Sequence, residues 1–140
     1  QALADKIANV LDASQTGRIL VAENDPTVRL SAVEALESAG YAVDEAATAS
    51  EALGRVRAAQ GRYDMVVLDA RLPEKAGDAL TSELRAMHHR LPILIASEEP
   101  VEALRAQFAG DQRVGIIAKP YNAAQLQAAL AQLGVPRAEP

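Results

Sequence analysis

Short unbroken apolar runs alternate along this chain with stretches in which apolar residues recur every three or four positions. The runs at 18–22, 65–69, 92–97 and 114–118, with a looser one at 41–46, are aliphatic and only five or six residues long. That length and composition predict strands, the central ones buried on both faces. Helical spacing fills the intervals. Val28, Ala32, Val33, Ala35 and Leu36 share the inward face of a helix that opens behind Asp25-Pro26 and stops at Gly40. Thr48 with Glu51 reads as a capping box for a second helix ending near Gly61. A third helix covers about 78–88, a fourth lies within 101–108, and Asn122 with Gln125 caps a fifth that ends before Gly134. Strands and helices in strict alternation imply a five-stranded parallel sheet covered on both sides, a doubly wound (βα)5 α/β fold in three layers. Ahead of it, Leu3, Ile7, Val10 and Leu11 fall on one helical face, followed by the polar stretch DASQTG at 12–17. The expected organisation is therefore a linker helix at 1–17, one domain at 18–134 and a disordered tail at 135–140.

Composition narrows the function. At 140 residues, 49% hydrophobic and 24% charged, the chain can build one core, and with 3% aromatics that core must be aliphatic. A formal net charge of −5 without a Lys/Arg run lacks the footprint of a nucleic-acid binder, so no nucleic-acid partner is expected. The absence of cysteine excludes disulfides, thiol catalysis and Cys-based metal sites. Its apolar runs are too short to cross a bilayer and its N-terminus lacks a signal-type region, so a cytoplasmic location without membrane contact is expected.

Open parallel sheets collect their chemistry beyond the carboxyl ends of the strands. There stand Glu23, Asn24 and Asp25 after the first strand, Asp69 at the end of the third, Ser97 and Glu98 after the fourth, and Lys119 after the fifth. Taken singly, most have plain structural readings: Asp25 as a helix cap, Ser97 equally as a cap, Lys119 as a solvated surface residue. Asp69 resists this, because an acid closing the run MVVL is costly to desolvate without a cation or donor. Carboxylates gathered with a hydroxyl and one lysine suit a hard cation such as Mg²⁺ and an aspartate nucleophile toward phosphorus, which favours phosphoryl transfer onto Asp69. His88 and His89, near a helix C-terminus, read as structural.

These residues resemble the receiver domain of two-component response regulators, the CheY-like phosphoacceptor domain. The resemblance covers about 18–133 and rests on ENDP at 23–26, VVLDARLPEKAG at 66–77, PILIAS at 92–97 and IIAKPY at 116–121. It implies the flavodoxin/CheY-like version of the fold, with Asp69 accepting a phosphoryl group from the phosphohistidine of a histidine kinase or a histidine phosphotransfer domain. It further implies that Glu23 holds metal-bound water, that Asn24, Asp69 and the backbone carbonyl of Arg71 ligate Mg²⁺, that Ser97 and Lys119 contact the phosphoryl oxygens, and that the Lys119-Pro120 bond is cis. Beyond its own phosphorylation and dephosphorylation, it implies no enzyme activity.

Four positions depart from the family pattern. Asn24 replaces an acid, which is expected to weaken Mg²⁺ binding through the loss of one ligand charge. Ala76 stands where an acid usually precedes the glycine. Glu98 follows Ser97 in place of a small residue and is expected to slow exchange at Asp69. Ile116 occupies the position of a switching aromatic, and Tyr121 reads as a packing residue. A pseudo-receiver acting as a phosphorylation-independent interaction module is thus the second reading. A phosphohydrolase ranks last, because Arg71 stands where such an enzyme needs a second acid. For partners, the resemblance points to the fourth helix, fifth strand and fifth helix, with Leu104, Gln107, Ile116, Gln125 and Gln132 as candidates. Gln1 in place of an initiator methionine and the helical segment at 3–11 suggest a piece of a larger signalling protein such as a hybrid histidine kinase. In that setting the segment would pack on an upstream helix or self-associate with a second copy; a single-domain regulator is the alternative.

Overall fold

A computed structural model describes residues 17–136. Five strands, β1 (Arg18–Ala22), β2 (Ala42–Ala46), β3 (Met65–Asp69), β4 (Ile93–Ser97) and β5 (Val114–Ala118), alternate with α1 (Pro26–Ser38), α2 (Ala49–Ala58), α3 (Gly77–Met87), α4 (Glu102–Gln107) and α5 (Ala123–Gln132). All strand pairs are parallel and the sheet order is β2-β1-β3-β4-β5. The chain therefore leaves β1 toward one edge and returns to its other side, so strand order reverses between β1 and β3. In this fold a crevice opens at such a reversal.

Alternation along each strand sends successive side chains to opposite faces. Ile19, Val21, Met65, Val67, Leu94 and Ala96 join Ala32, Val33 and Leu36 of α1 and Leu126, Ala129 and Leu130 of α5 in one core. Leu20, Ala22, Val66, Leu68, Ile93 and Ile95 join Ala52 and Val56 of α2 and Leu80 and Leu84 of α3 in the other. Every residue of β3 and β4 is buried, which explains their unbroken apolar runs. The expected fold class is the observed one.

Local signals hold with adjustments. Asp25 caps α1 through Oδ1, which accepts the N–H groups of Thr27 (2.9 Å) and Val28 (3.3 Å). Gly40, at φ 99°, follows the helix end, where the left-handed backbone suits glycine. Asn122 and Gln125 form the expected box. The Thr48 box closes differently: Thr48 Oγ1 accepts the Glu51 N–H (3.1 Å), but the Glu51 carboxylate reaches the Ala47 N–H (2.7 Å), one residue ahead of the cap. Val28, expected in the core, is half-buried and lines the cleft described below. The fold also runs to Pro136 rather than stopping at 134. Val135 is only 7% exposed in the first core, and Tyr41 donates its hydroxyl to the Pro136 carbonyl at 2.8 Å. The segments 1–16 and 137–140, which contain the expected linker helix and most of the expected tail, lie outside the described residues.

Candidate functional site

Each strand delivers its terminal residue to the same end of the sheet because the ladders continue one step past the strands. Glu23 N–H donates to Ala46 O (2.9 Å), Ala70 N–H to Ala96 O (2.8 Å) and Lys119 N–H to Ser97 O (2.8 Å). Between these ends lies a cleft of about 200 Å³ lined by Glu23, Asn24, Asp25, Val28, Asp69, Ala70, Arg71, Glu98 and Lys119. All four residues expected to hold a metal line it, as does Lys119. Ser97 does not.

Lys119 is the centre of the charge arrangement. Its ammonium donates to Glu23 Oε1 at 2.8 Å and pairs with Asp69 Oδ1 at 3.3 Å, with the side chain only 9% exposed. Glu23 is 5% exposed and Asp69 8%. Burial pushes the Glu23 carboxyl up from its ordinary range, aided by the neighbouring Asp69 and opposed by Lys119. Burial acts in the opposite direction on Lys119, but the hydrogen bond and charge of Glu23, with the charge of Asp69, prevail and hold the ammonium above its ordinary range. Glu23 is further fixed by Oε2, which accepts the Asp25 N–H at 3.0 Å. Asp69 Oδ1 also accepts the Arg71 N–H at 3.1 Å, so the backbone and Lys119 both engage that oxygen. The Lys119-Pro120 bond is cis.

The remaining predicted residues are less directly engaged. Ser97 is buried, and its hydroxyl closes a local turn, accepting the Glu99 N–H (3.1 Å) and donating to the Glu99 carbonyl (3.3 Å). It is not a helix cap, since α4 opens only at Glu102. Asn24 is exposed, and its Nδ2 donates to Ala47 O at 3.4 Å, which leaves the amide oxygen as its available ligand atom. Ala76 gives α3 no side-chain cap. Ile116 and Tyr121 are partly buried packing residues against opposite cores.

Three site-forming side chains escape sequence reading. Arg29 Nη1 donates to the Glu23 carbonyl at 2.7 Å and the Asn24 carbonyl at 3.5 Å, tying down the loop behind β1. Its place one turn after the Asp25 cap is the available signal. Arg71 lines the cleft and its guanidinium pairs with Glu99, which does not. Glu74 sits at the tip of the β3–α3 loop with its carboxylate on α2.

Oxygen donors dominate the cleft. Glu23 and Asp69 carboxylates, the Asn24 amide oxygen and the adjacent Arg71 backbone make a set that fits Mg²⁺, which takes few protein ligands and keeps several waters. Among the described residues, no trio of His, Cys, Asp or Glu is placed to cage a metal by itself. None of the described helices is long and apolar enough to cross a membrane.

The order reversal, the paired acids and the lysine define a doubly wound α/β domain with a charged crevice at its switch point. The chain belongs to the response regulator receiver domain family, whose sequence model matches residues 19–131, and is thus a receiver of two-component signalling. It is 34% identical over 121 residues to the sensor kinase CckA of Brucella abortus (strain 2308), covering 86% of this chain and 13% of that protein. It is also 34% identical over 119 residues to the transcriptional regulatory protein PmrA of Pectobacterium parmentieri, covering 79% and 49%. The chain therefore spans half or less of the length of these curated relatives. Among solved structures, a response regulator receiver domain protein from Clostridium thermocellum aligns with TM-score 0.75 at 21% identity, covering 84% of this chain and 94% of that one. Chemotaxis protein CheY4 of Vibrio cholerae aligns with TM-score 0.75 at 23% identity, covering 84% and 98%. These two likenesses bear on the fold.

Proposed function

We propose that this receiver accepts a phosphoryl group on Asp69 from the phosphohistidine of a histidine kinase or histidine phosphotransfer domain, and that the modification alters a partner-binding surface. The observation that carries the reading is the Lys119 bridge, which holds an ammonium 3.3 Å from one oxygen of a buried aspartate at the edge of an open cleft. An Asp69 oxygen attacks phosphorus, the phosphorus–nitrogen bond of the donor breaks, and an acyl phosphate forms while the histidine leaves. Lys119 is placed to follow the charge onto the phosphoryl oxygens, and Ser97 would join it by giving up its turn with Glu99. Glu23, Asn24, Asp69 and the Arg71 carbonyl would hold Mg²⁺, which supplies charge neutralisation when bound. The chain acts as a phosphoacceptor that at most catalyses its own phosphorylation and dephosphorylation. Its parent would be a sensor kinase or a regulator, with self-association a further role of the surface it presents.

A second reading, a phosphorylation-independent interaction module, is favoured by the neutral Asn24 and the engaged Ser97 hydroxyl. One experiment separates the two. Incubation with acetyl phosphate and Mg²⁺ followed by intact mass measurement is expected to show one phosphoryl adduct on the parent and none on Asp69→Ala. An unmodified parent, or an adduct that survives Asp69→Ala, would refute the phosphoacceptor reading.

Asn24→Asp tests the metal assignment. A carboxylate cannot donate to Ala47 O, and it adds a third negative charge beside Glu23 and Asp69. The metal-free variant is therefore expected to melt a few degrees lower, while its Mg²⁺ affinity, followed by calorimetric titration, rises about tenfold. An unchanged affinity would remove Asn24 from the ligand set.

A further inference from the structure

We infer that Glu74 is a positioning residue for the metal-binding cleft, pinning the β3–α3 loop to the first turn of α2 and thereby setting where Asp69 and the Arg71 carbonyl stand. The inference rests on the Mg²⁺ reading given above.

A helix leaves its first N–H groups without intrahelical partners. In α2, Thr48 Oγ1 takes the Glu51 N–H at 3.1 Å, and the β3–α3 loop takes the two before it. Ala49 N–H donates to the Pro73 carbonyl at 3.3 Å, and Ser50 N–H to Glu74 Oε1 at 2.9 Å. This loop, rather than the segment leading into the helix, therefore completes the cap. The hydrogen bonds from the Ser50 side chain and backbone, with one from Thr48, hold the Glu74 carboxyl below its ordinary range.

The backbone at this position gives independent support. Glu74 has φ 78°, a conformation that favours glycine and is sterically unfavourable for a residue with a side chain. A glutamate standing there is explained if its carboxylate is what the position needs. At its other end the loop is closed by the Gly77 N–H to Ala70 O bond (2.9 Å) and by pairing between Arg71 and Ala76. Residues 71–76 thus form a tight ring with Glu74 at the tip and the phosphoacceptor at the base.

The same helix end reaches the other side of the cleft. Ala47, held by Glu51 through its N–H, accepts the Asn24 side chain on its carbonyl. The first turn of α2 is therefore tied both to the loop of Asn24 and to the loop of Arg71, the two loops that must keep a fixed separation if one cation is to touch both.

Three variants test this. Glu74→Gln keeps an acceptor oxygen, Glu74→Ala removes it and keeps the unfavourable backbone, and Glu74→Gly removes it while relaxing the backbone. Mg²⁺ affinity is read by backbone amide NMR titration, with Ser50 amide exchange and the melting temperature measured alongside. Alanine and glycine are expected to weaken Mg²⁺ binding at least about threefold and to speed Ser50 exchange, with glutamine within about twofold of the parent. Glycine is expected to match or exceed the stability of alanine yet bind Mg²⁺ no better, which separates positioning from folding. Parent-like affinity in both alanine and glycine variants would overturn the inference. If the parent itself binds no Mg²⁺, the metal reading fails, and positioning is then judged on the Asp69 to Arg71 amide shifts: displaced shifts in Glu74→Ala sustain it, and unchanged shifts end it.

Discussion

Lys119→Met is expected to lower the melting temperature of this domain by roughly 10 °C at neutral pH, a loss of about 2–3 kcal/mol. The ammonium is the cation that the structure pairs with two carboxylates, Glu23 and Asp69, each less than a tenth exposed. A methionine fills much of the volume of the lysine stem, so the packing term is small. What remains is a pair of buried negative charges without their counter-ion, which typically costs about 3–5 kcal/mol in a sealed interior and less here because the cleft admits water. Two titrations give the loss a pH signature. The folded Glu23 carboxyl already titrates above its unfolded value of 4.5, chiefly through burial, and removing Lys119 raises it further. A raised carboxyl destabilises the fold above its folded pKa, and the penalty fades as pH falls toward 4.5, so parent and variant converge on the acid side. On the alkaline side the parent loses its own advantage. The folded Lys119 titrates above 10.5, so its contribution is complete below that value and disappears as pH rises through the folded pKa. Thermal melts of both proteins across this range should show the largest gap near neutrality. A constant gap would mean that Lys119 acts through packing alone, and no gap would remove the bridge from the account of stability.

The central strands were legible because burial on both faces leaves a sequence only one way to announce it. Met65–Asp69 and Ile93–Ser97 are wholly buried, and only an unbroken apolar run satisfies burial on both faces. Helix ends were legible where a side chain does the capping, as at Asp25 and Asn122, and shifted where it does not, as at α3 behind Ala76. The burial of Val135 was not legible. Beyond the turn at Gly134, where the Val135 N–H returns to the Leu130 carbonyl at 3.0 Å, the segment is held by Tyr41 donating to the Pro136 carbonyl from 95 positions away, a contact no local pattern records.

The same division runs through the site. Glu23, Asp69 and Lys119 could be selected because strand ends converge by rule, and a buried acid demands a partner. Their direct pairing was not foreseen: the family resemblance directs Glu23 to water and Lys119 to a phosphoryl group, while in the structure they satisfy each other. Loop-to-loop contacts were the hardest. Asn24 with Ala47, Ser50 with Glu74 and Arg71 with Glu99 lie 23, 24 and 28 positions apart; the first and last join loops of neighbouring strands, and the middle one spans β1, which stands between β2 and β3. These loops become neighbours only once the order β2-β1-β3-β4 is known, so the contacts follow from topology rather than from any motif.

Gly77→Ala is expected to destabilise the domain by about 1–3 kcal/mol and to slow phosphoryl uptake at Asp69 by an order of magnitude or more. Helix propensity alone argues for the opposite sign, since alanine is favoured over glycine within a helix by up to about 1 kcal/mol. Space decides against it. A Cβ on Gly77 would stand 2.6 Å from the Asp69 carbonyl oxygen, 2.9 Å from Ala70 Cα and 3.2 Å from the Asp69 carbonyl carbon. All three atoms are backbone, so no rotamer change relieves the contact. Either α3 withdraws or the Asp69-Ala70 backbone moves. Withdrawal of α3 would unseat Leu80 and Leu84, both fully buried, at about 2 kcal/mol or more each, so the strain falls mainly on the Asp69-Ala70 backbone. Gly54 supplies the contrasting case. It lies in the interior of α2 with nothing within 4 Å of an added Cβ, so Gly54→Ala should stabilise by about 0.5–1 kcal/mol with unchanged phosphoryl uptake. Urea unfolding and acetyl phosphate kinetics on the two variants therefore carry opposite expectations from one chemical change. A Gly77→Ala protein as stable and as reactive as the parent would show that the close approach of α3 to the end of β3 does not fix the position of Asp69.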